Sequence, residues 1–217
     1  MAIYKSIKFM AHEDEIDRNH SYFLGRRELY FSYGLDNVAS AKEIIDLAGH
    51  LEDPILEIGT GRGHTALALA RHGYNVSTVD IDLDALRICY LNLAYEKLES
   101  HYKFYKMDAR CLGFEDSSFR TIVSINFFHH SEELKEVLNE MDRVLAPGGR
   151  LILADINEKG LDIIENVHIQ EGIFHPHSGI EMVQVFNELK DMGYDVQQHA
   201  LRFESAIIGT KHKTVQG

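Results

Sequence analysis

Three glycines alternate with other residues directly after a short apolar segment, and this loop is the part of the chain best suited to hold a ligand. Residues 57–63 read EIGTGRG and follow the apolar residues 54–56. Glycine has no Cβ, so such a loop can turn sharply and lie against a bound molecule. A helix predicted over residues 65–72, with Gly73 as its end, would direct unpaired backbone N–H groups at the same molecule. The pattern is typical of a site for a nucleoside-type ligand.

Polar side chains that suit such a ligand occur where the apolar segments end. Glu57, Asp80, Asp108 and Asn126 each stand at or near the end of a predicted β-strand. In an open α/β sheet, ligands bind at the carboxyl ends of the strands, near the point where the strand order reverses. We therefore expect these four side chains along one edge of a sheet. Each acid also has an ordinary use in a turn or a helix cap, so their joint position is the stronger argument.

Histidines are the candidate proton acceptors. His129 and His130 follow the fourth predicted strand, and histidine titrates near neutral pH, so either could act as a general base. We favour His130 slightly over His129, and a structural role for both is the alternative. A second group, His168, His175 and His177, has a spacing that can bind zinc. Because no acid or cysteine completes that set, we predict no metal site.

Segments with strand and helix patterns alternate along the chain, and this alternation predicts the scaffold. Short segments rich in β-branched and aromatic residues predict strands at 55–58, 75–79, 102–106, 121–125 and 150–154. Helical patterns lie between them at 65–72, 83–98 and 132–145. Ser131 is the predicted N-cap of the last of these helices. Such alternation predicts a parallel sheet with helices on both faces.

The end of the chain breaks this alternation. After a helix around residues 179–192, two strands at 194–202 and 204–209 have almost no residues between them. Strands joined so tightly must be antiparallel, because a parallel connection needs a dozen or more residues. We therefore predict an α/β fold in which a five-stranded parallel sheet ends in an antiparallel pair.

Composition argues against several classes of function. The 217 residues include 22 basic and 34 acidic side chains, a net charge of −12, which disfavours a broad nucleic-acid-binding surface. No apolar stretch approaches the roughly 20 residues that cross a bilayer, and residues 1–10 do not resemble a signal peptide. The two cysteines, Cys89 and Cys111, have no metal or redox spacing. We expect a cytoplasmic protein that binds neither membrane nor nucleic acid.

The first 50 or so residues differ in composition from the rest, and residues 1–37 among them form a candidate lid. Residues 12–20 are polar and charged, and we expect a solvated, loop-like segment there. Aromatic residues crowd together with Arg26 and Arg27 over residues 22–33. Either arginine could hold an acidic substrate group; alternatively, the aromatic residues pack on the sheet and the arginines face solvent. The predicted divisions are a lid or substrate-side segment at 1–37, a main domain at 38–210 and a disordered tail at 211–217.

Five motifs in a fixed order resemble those of the class I S-adenosylmethionine-dependent methyltransferases, and among them the small-molecule members of the type 11 kind. The motifs are EIGTGRG at 57–63, VD at 79–80, MDA at 107–109, SINFFHH at 124–130 and LAPGG at 145–149. One glycine-rich loop is a weak signal, whereas five motifs in order are a strong one. The resemblance implies a Rossmann-like methyltransferase fold, a seven-stranded mixed sheet in the order 3-2-1-4-5-7-6 with its last strand pair antiparallel. It also implies S-adenosyl-L-methionine as the cofactor.

The resemblance assigns the methionine part of that cofactor to the glycine loop. Gly59, Thr60, Gly61 and Gly63 would surround it, and Glu57 would offer negative charge to its ammonium group. The N–H groups of the loop and of the following helix would favour its carboxylate.

The adenosine part would then lie against the next strand ends. Asp80 would accept hydrogen bonds from both ribose hydroxyls, and Ile81 would give the adenine an apolar surface. Asp108 would accept from the adenine amino group, with the Ala109 N–H near the ring. Asn126 would face the methyl-transfer centre.

The resemblance and the charge together predict a small-molecule methyl acceptor. Superfamily members that methylate amino groups of nucleic acids carry two prolines after the fourth strand, and residues 126–129, NFFH, lack both. Phe127 and Phe128 could line the acceptor pocket or pack in the core. Two other functions stay open: an NAD(P)-dependent oxidoreductase, since residues 61–66 satisfy a loose dinucleotide pattern, and a cofactor-binding module without transfer activity. The sequence leaves both a monomer and a homodimer open.

Overall fold

Seven strands form one mixed sheet in a computed structural model of the chain, which describes residues 5–172 and 178–213. The strands are β1 (Ile55–Ile58), β2 (Val76–Asp80), β3 (Tyr102–Lys106), β4 (Phe119–Ile125), β5 (Leu145–Ile156), β6 (Asp195–Ala200) and β7 (Glu204–Thr210). Their order is β3-β2-β1-β4-β5-β7-β6. The first five pair in parallel, and β7 runs antiparallel to both β5 and β6. The predicted fold class and strand order are confirmed.

Among the described residues, seven α-helices accompany this sheet. They are α1 (Glu13–Ser32), α2 (Asn37–Ala48), α3 (His64–Arg71), α4 (Leu83–Tyr95), α5 (Leu134–Val144), α6 (Glu158–Glu171) and α7 (Met182–Asp191). Side chains of β1 alternate between two cores: Ile55 packs with α2, α3 and α4, whereas Leu56 packs with α5 and α7. None of these helices combines the length and the apolarity that a membrane crossing requires.

The N-terminal segment is a helix, so the loop-like conformation expected for residues 12–20 is wrong, whereas their predicted exposure agrees with the structure, in which none of them is buried. Three acidic residues, Glu13 to Glu15, occupy the first turn of α1, where they suit the positive end of the helix dipole. Of the residues in α1, Phe23 and Tyr30 are buried, a pattern too sparse to identify an amphipathic helix in the sequence. Arg87 of α4 forms an ion pair with Glu15 at 2.6 Å. Tertiary contacts therefore stabilise a helix whose own pattern is weak.

The N-cap predicted at Ser131 is also wrong. The chain forms a 3-10 turn at Phe128–His130 and then runs extended through Ser131, so α5 begins at Leu134 after Glu133 as its N-cap. The Ser131 N–H donates to the Phe128 carbonyl at 3.0 Å. That hydrogen bond keeps Ser131 in the preceding turn and delays the start of the helix.

The last described residues continue from β7 and stay paired with β5. The Lys211 ammonium donates to the carbonyl oxygens of Asp142 and Leu145 at 2.6 and 3.2 Å, and its N–H donates to the Gly149 carbonyl at 2.9 Å. The tail boundary predicted at residue 211 therefore falls within a hydrogen-bonded part of the chain. Residues 214–217 lie outside the described residues.

Candidate active site

Two cavities meet at the carboxyl edge of the sheet, where the strand order reverses at β1 and β4. The α1 cavity, of about 380 Å³, lies between α1 and the ends of β1 and β4; its wall includes Tyr22, Phe23, Arg26, Tyr30 and Arg62. The β2–β3 cavity, of about 630 Å³, lies beyond the ends of β2 and β3; its wall includes Asp80, Ile81, Met107, Asp108 and Phe127.

Most of the residues predicted for the site lie in these two walls. The wall of the β2–β3 cavity, but not that of the α1 cavity, includes Asp80, Ile81, Asp108 and Ala109. The wall of the α1 cavity, but not that of the β2–β3 cavity, includes Thr60 and His129. Both cavities are lined by Gly59, Gly61, Asn126 and His130, so they lie next to each other. Glu57 and Gly63 are buried and line neither cavity.

Asp80 fixes the glycine loop to the end of β2. Its Oδ2 accepts a hydrogen bond from the Gly61 N–H at 2.9 Å, and its Oδ1 accepts one from the Asp82 N–H at 2.9 Å. An ionised carboxylate has about four acceptor positions. Asp80 therefore holds the loop in place and keeps acceptor capacity for hydroxyl groups in the β2–β3 cavity.

Asp108 lies two residues beyond the end of β3 and is paired with a cation. Arg110 Nη2 contacts Asp108 Oδ2 at 2.6 Å, and the Arg110 N–H donates to Oδ1 at 2.9 Å. These hydrogen bonds lower the pKa of Asp108, so its carboxylate is ionised at neutral pH. A second ion pair, of 3.0 Å, joins Arg110 to Glu133. Ile81, which is 62% exposed, supplies apolar surface to the same cavity.

The glycines of the loop serve two different purposes. Gly61 has a positive φ of +49°, and a Cβ built on it would meet no atom within 4 Å, so this part of the backbone is open to the cavities. Gly63 has a φ of +82°, and a Cβ there would lie 2.9 Å from Cys89 Sγ and 3.1 Å from Cys89 Cα. Gly63 therefore permits close packing of α3 against α4, and Gly61 permits close approach of a ligand.

A buried hydrogen-bonded network lies beneath the loop. The Thr78 hydroxyl donates to Glu57 Oε2 at 2.7 Å and lies 2.5 Å from the Thr60 hydroxyl. Burial raises the pKa of Glu57 to about 8, against the lowering effect of the Thr78 hydrogen bond. Glu57 is therefore protonated at neutral pH in the ligand-free protein. Within the described ranges, its Oε1 has no hydrogen-bond partner.

Asn126 occupies the junction of the two cavities in an unusual backbone conformation. Its φ is +57°, in the left-handed region that residues other than glycine seldom adopt. Its N–H donates to the Ala154 carbonyl at 2.9 Å, while its buried Oδ1 has no partner in the described part of the chain. Backbone strain of this kind concentrates at functional sites.

His129 is held by a carboxylate that the sequence analysis did not identify. Asp155 Oδ1 lies 2.6 Å from His129 Nδ1, and Asp155 Oδ2 accepts the His129 N–H at 2.9 Å. Both side chains are buried. Asp155 stands near the end of β5, so the strand-end argument that selected Asp80 and Asp108 also applied to it. The pair fixes the His129 ring in the wall of the α1 cavity.

The neighbours of His129 differ in exposure. His130 is exposed, and its ring centroid lies 3.9 Å from that of His129. Phe128 is fully buried and packs in the core between the sheet and α5. Phe127 lines the β2–β3 cavity and lies against Gly59, where a Cβ would come within 2.7 Å of its ring.

The arginines of α1 are paired within the protein. Arg26 Nη2 contacts Glu171 Oε2 at 2.8 Å, and Arg27 Nη2 contacts Asp36 Oδ2 at 2.6 Å. Both arginines line the α1 cavity. The alternative in which they simply face solvent is therefore wrong, and substrate binding by either stays a prediction.

The histidine group considered for zinc is only partly described. His168 is buried in α6 and lines the α1 cavity, whereas His175 and His177 lie outside the described residues. Within residues 5–172 and 178–213, no group of three or more His, Cys, Asp or Glu side chains could hold a metal ion.

Several known proteins with similar sequences are named as methyltransferases. The family model of the type 11 methyltransferase domain matches residues 56–153. The methyltransferase GfsG of Streptomyces halstedii is 37% identical over 114 residues, which cover 52% of this chain and 40% of that protein. The chain spans about half the length of the curated relatives it matches.

Solved structures share the fold at low sequence identity. A SAM-dependent methyltransferase from Methanosarcina mazei has a TM-score of 0.60 and 23% identity, over 77% of this chain and 97% of that one. The [4+2]-cyclase SpnF has a TM-score of 0.59 and 16% identity, over 81% and 80%. These likenesses show the fold alone. The matched residues 56–153 run from β1 to β5, so this part of the chain is similar in sequence to a methyltransferase domain, and the strand order of the whole sheet is the one that the sequence motifs implied.

Proposed function

We propose that this protein binds S-adenosyl-L-methionine across the two cavities and transfers its methyl group to a small molecule in the α1 cavity. The observation that supports the proposal is that Gly61 and Asn126 stand in the walls of both cavities, which are therefore neighbours. The adenosine part suits the β2–β3 cavity, where Asp80 and Asp108 offer carboxylates and Ile81 offers apolar surface.

Two buried acceptors, one at the junction of the cavities and one beneath the glycine loop, fit the methionine part. Asn126 Oδ1 and Glu57 Oε1 have no hydrogen-bond partner among the described residues, and an ammonium group supplies the donors that they lack. The open face of Gly61 leaves room for a ligand to approach the backbone. The N-terminal N–H groups of α3 favour a carboxylate. The donors and acceptors present therefore fit the cofactor.

Besides binding the cofactor, the protein must position the methyl acceptor and remove its proton. The bound cofactor supplies a methyl group on a positively charged sulfur, which is already a strong electrophile. The walls of the α1 cavity would hold the acceptor for in-line attack on that methyl. A hydroxyl acceptor must also lose a proton, and we assign this step to His129 because Asp155 fixes its ring in the cavity wall.

Replacement of Asp80 by asparagine is expected to weaken binding of S-adenosylhomocysteine, the demethylated form of the cofactor, about 100-fold. The amide keeps the shape of the side chain but removes the charge that receives two ribose hydroxyls, and its NH2 group can no longer accept one of the two backbone N–H groups, of Gly61 and Asp82, that bind Asp80. Hydrogen bonds to charged groups contribute about 1.5–3 kcal/mol each, and about 1.4 kcal/mol corresponds to a tenfold change in Kd. Isothermal titration calorimetry measures this Kd directly.

Asp84→Asn is the matched control for that titration. Asp84 is an exposed carboxylate in the first turn of α4 and lines neither cavity. Equal affinities of the Asp80 and Asp84 variants would contradict the ribose assignment. The same titration with NADPH tests the oxidoreductase alternative, which would replace the proposal if NADPH bound tightly and S-adenosylhomocysteine did not.

Removal of the His129 side chain is expected to lower kcat for a hydroxyl acceptor by about 10²- to 10⁴-fold, the usual contribution of a general base. Candidate acceptors are screened by the formation of S-adenosylhomocysteine, and kcat is then compared for His129→Ala, Asp155→Asn and His130→Ala. Asp155→Asn is expected to give a smaller loss than His129→Ala, since the base remains but its orientation is weakened. A larger loss in His130→Ala than in His129→Ala would return the assignment to His130.

A cofactor-binding module without transfer activity is the second candidate. The fold does not by itself decide the matter, since a similar structure is that of a [4+2]-cyclase. Binding of S-adenosylhomocysteine with no turnover across a broad acceptor panel would favour this second function.

A further inference from the structure

The wall of the α1 cavity carries positive charge in a chain whose net charge is −12. Its described lining contains Arg26, Arg27 and Arg62 and no Asp or Glu. The β2–β3 cavity has the opposite character, with one arginine, Arg110, against five acids. Those acids are Asp80, Asp82, Asp108, Glu132 and Glu133. The walls of the two neighbouring cavities therefore carry charged side chains of opposite sign.

Two of the three arginines have carboxylate partners that do not line the cavity. Arg26 is paired with Glu171, and Arg27 forms two hydrogen bonds, of 3.0 and 2.6 Å, with Asp36. Arg26 nevertheless keeps a buried Nε without a hydrogen-bond partner in the described part of the chain. One donor of this pair therefore remains available within the protein interior.

Arg62 has no carboxylate partner among the described residues. It is half-buried in the glycine loop, with its guanidinium 5.7 Å from the centroid of the Tyr22 ring. Burial and the nearby charge of Arg26 lower the pKa of Arg62, but a guanidinium stays charged at neutral pH. Glu171, the ion-pair partner of Arg26, also acts on Arg62 and raises its pKa, but it forms no ion pair with Arg62. A partly desolvated charge without an ion pair of its own is unfavourable. A bound anion would relieve this cost.

We propose that the α1 cavity binds its methyl acceptor through a carboxylate group held by Arg62, with Arg26 Nε as a second donor. The inference rests on the proposed function and specifies the chemical class of its substrate. A guanidinium matches a carboxylate with two parallel hydrogen bonds. The rest of the wall includes apolar and aromatic side chains, Phe23, Tyr30, Ile88, Ile125 and Ile164. The acceptor is therefore an aromatic or aliphatic carboxylic acid.

The carboxylate of the cofactor is a second source of the same chemistry. Arg62 lies between Gly61 and Gly63, in the loop that we assign to the methionine part. The N-terminus of α3 also favours a carboxylate at that position. The experiment must therefore separate the loss of acceptor binding from the loss of cofactor binding.

Calorimetry on enzyme saturated with S-adenosylhomocysteine provides that separation. Benzoate, 3-phenylpropionate and hexanoate are titrated beside their neutral amides. At least one carboxylate is expected to bind wild-type enzyme about tenfold more tightly than its amide, the effect of one charge-assisted contact. Arg62→Gln is expected to remove this preference and to change the Kd of S-adenosylhomocysteine by less than about threefold. Arg62→Lys keeps the charge and is expected to retain part of the preference.

Arg71→Gln is the matched control, because Arg71 lies at the other end of α3, is paired with Glu96 and lines neither cavity. It is expected to keep the wild-type preference. Equal binding of all three carboxylates and their amides to wild-type enzyme would overturn the inference. So would a tenfold rise in the Kd of S-adenosylhomocysteine in Arg62→Gln with unchanged binding of 5′-methylthioadenosine, which lacks the amino-acid part. Absence of S-adenosylhomocysteine binding to wild-type enzyme would instead contradict the proposed function itself.

Discussion

Replacement of Gly63 by alanine is expected to lower the free energy of unfolding by about 2–5 kcal/mol. A left-handed conformation costs a residue with a Cβ about 1–2 kcal/mol, and overpacking adds about 1–3 kcal/mol. Both effects act at Gly63, since its φ is +82° and a Cβ would lie 3.1 Å from the Cα of Cys89. Backbone atoms cannot rotate away as a flexible side chain can. Urea unfolding of the ligand-free variant measures the loss.

Gly73→Ala separates the two effects. Gly73 follows the same helix, α3, with a φ of +81°, but a Cβ there would meet nothing within 4 Å. Only the conformational cost, about 1–2 kcal/mol, is expected in that variant. Equal losses at the two positions would show that α3 and α4 can move apart at no cost. The prediction that Gly63 contacts the cofactor stays open, since its packing already requires glycine.

The central strands could be predicted because their apolar segments are short and bounded by turn residues. The bounds of β1 and β3 agree with the predicted segments 55–58 and 102–106. The start of β5 was missed because Pro147 and the two following glycines read as a stop signal. In the structure Leu145 already pairs with Phe119, and the register then shifts before the regular ladder begins. A bulge of this kind depends on the neighbouring strand.

The helices that were missed depend on tertiary contacts. α1 buries two residues, and its position is set largely by polar contacts with α4, such as the 2.7 Å hydrogen bond from Asn19 to Asn92. α6 contains Gly160, which a propensity argument counts against a helix. A Cβ at Gly160 would lie 2.4 Å from the Phe203 carbonyl, so glycine is required by packing. Asn157, whose side chain caps this helix, is the residue from which the start of α6 could have been predicted.

The candidate active site also has a part that the sequence predicts and a part that depends on tertiary contacts. Strand-end acids could be predicted, since their position follows from the topology of an open α/β sheet. Their partners could not, because sequence separation gives no indication that Asp155 meets His129 or that Arg26 meets Glu171, 145 residues away. The charge of the α1 cavity likewise depends on how α1 lies across the loop. Arg62 differs from Arg26 and Arg27 because it has no carboxylate partner among the described residues, and residue type alone does not reveal this difference.

Replacement of Glu57 by glutamine is expected to stabilise the ligand-free protein at alkaline pH by up to about 5 kcal/mol. Burial raises the folded-state pKa of Glu57 to about 8, from 4.5 for an exposed glutamate. Below pH 4.5 both states hold the proton and this site contributes its full stability. Between pH 4.5 and 8 only the folded state holds it, so the stability of the wild type falls as the pH rises. Above pH 8 both states are ionised and the loss is complete. Glutamine has no such proton, and its carbonyl can still accept the Thr78 hydroxyl.

Urea unfolding of wild type and Glu57→Gln at pH 5, 7 and 9 tests this pH dependence. The difference between the two proteins is the useful quantity, because burial also raises the pKa of Glu204, to about 7, and both proteins share that effect. Parallel stability curves would show that Glu57 is ionised in the folded state.

The same ionisation connects stability to binding, since an ammonium group near Glu57 Oε1 favours the charged carboxylate. Wild-type enzyme at pH 7 is therefore expected to release protons when it binds S-adenosylhomocysteine, and Glu57→Gln is not. Calorimetric titrations in two buffers of different ionisation enthalpy measure that release, and equal proton release by both proteins would separate Glu57 from the cofactor site.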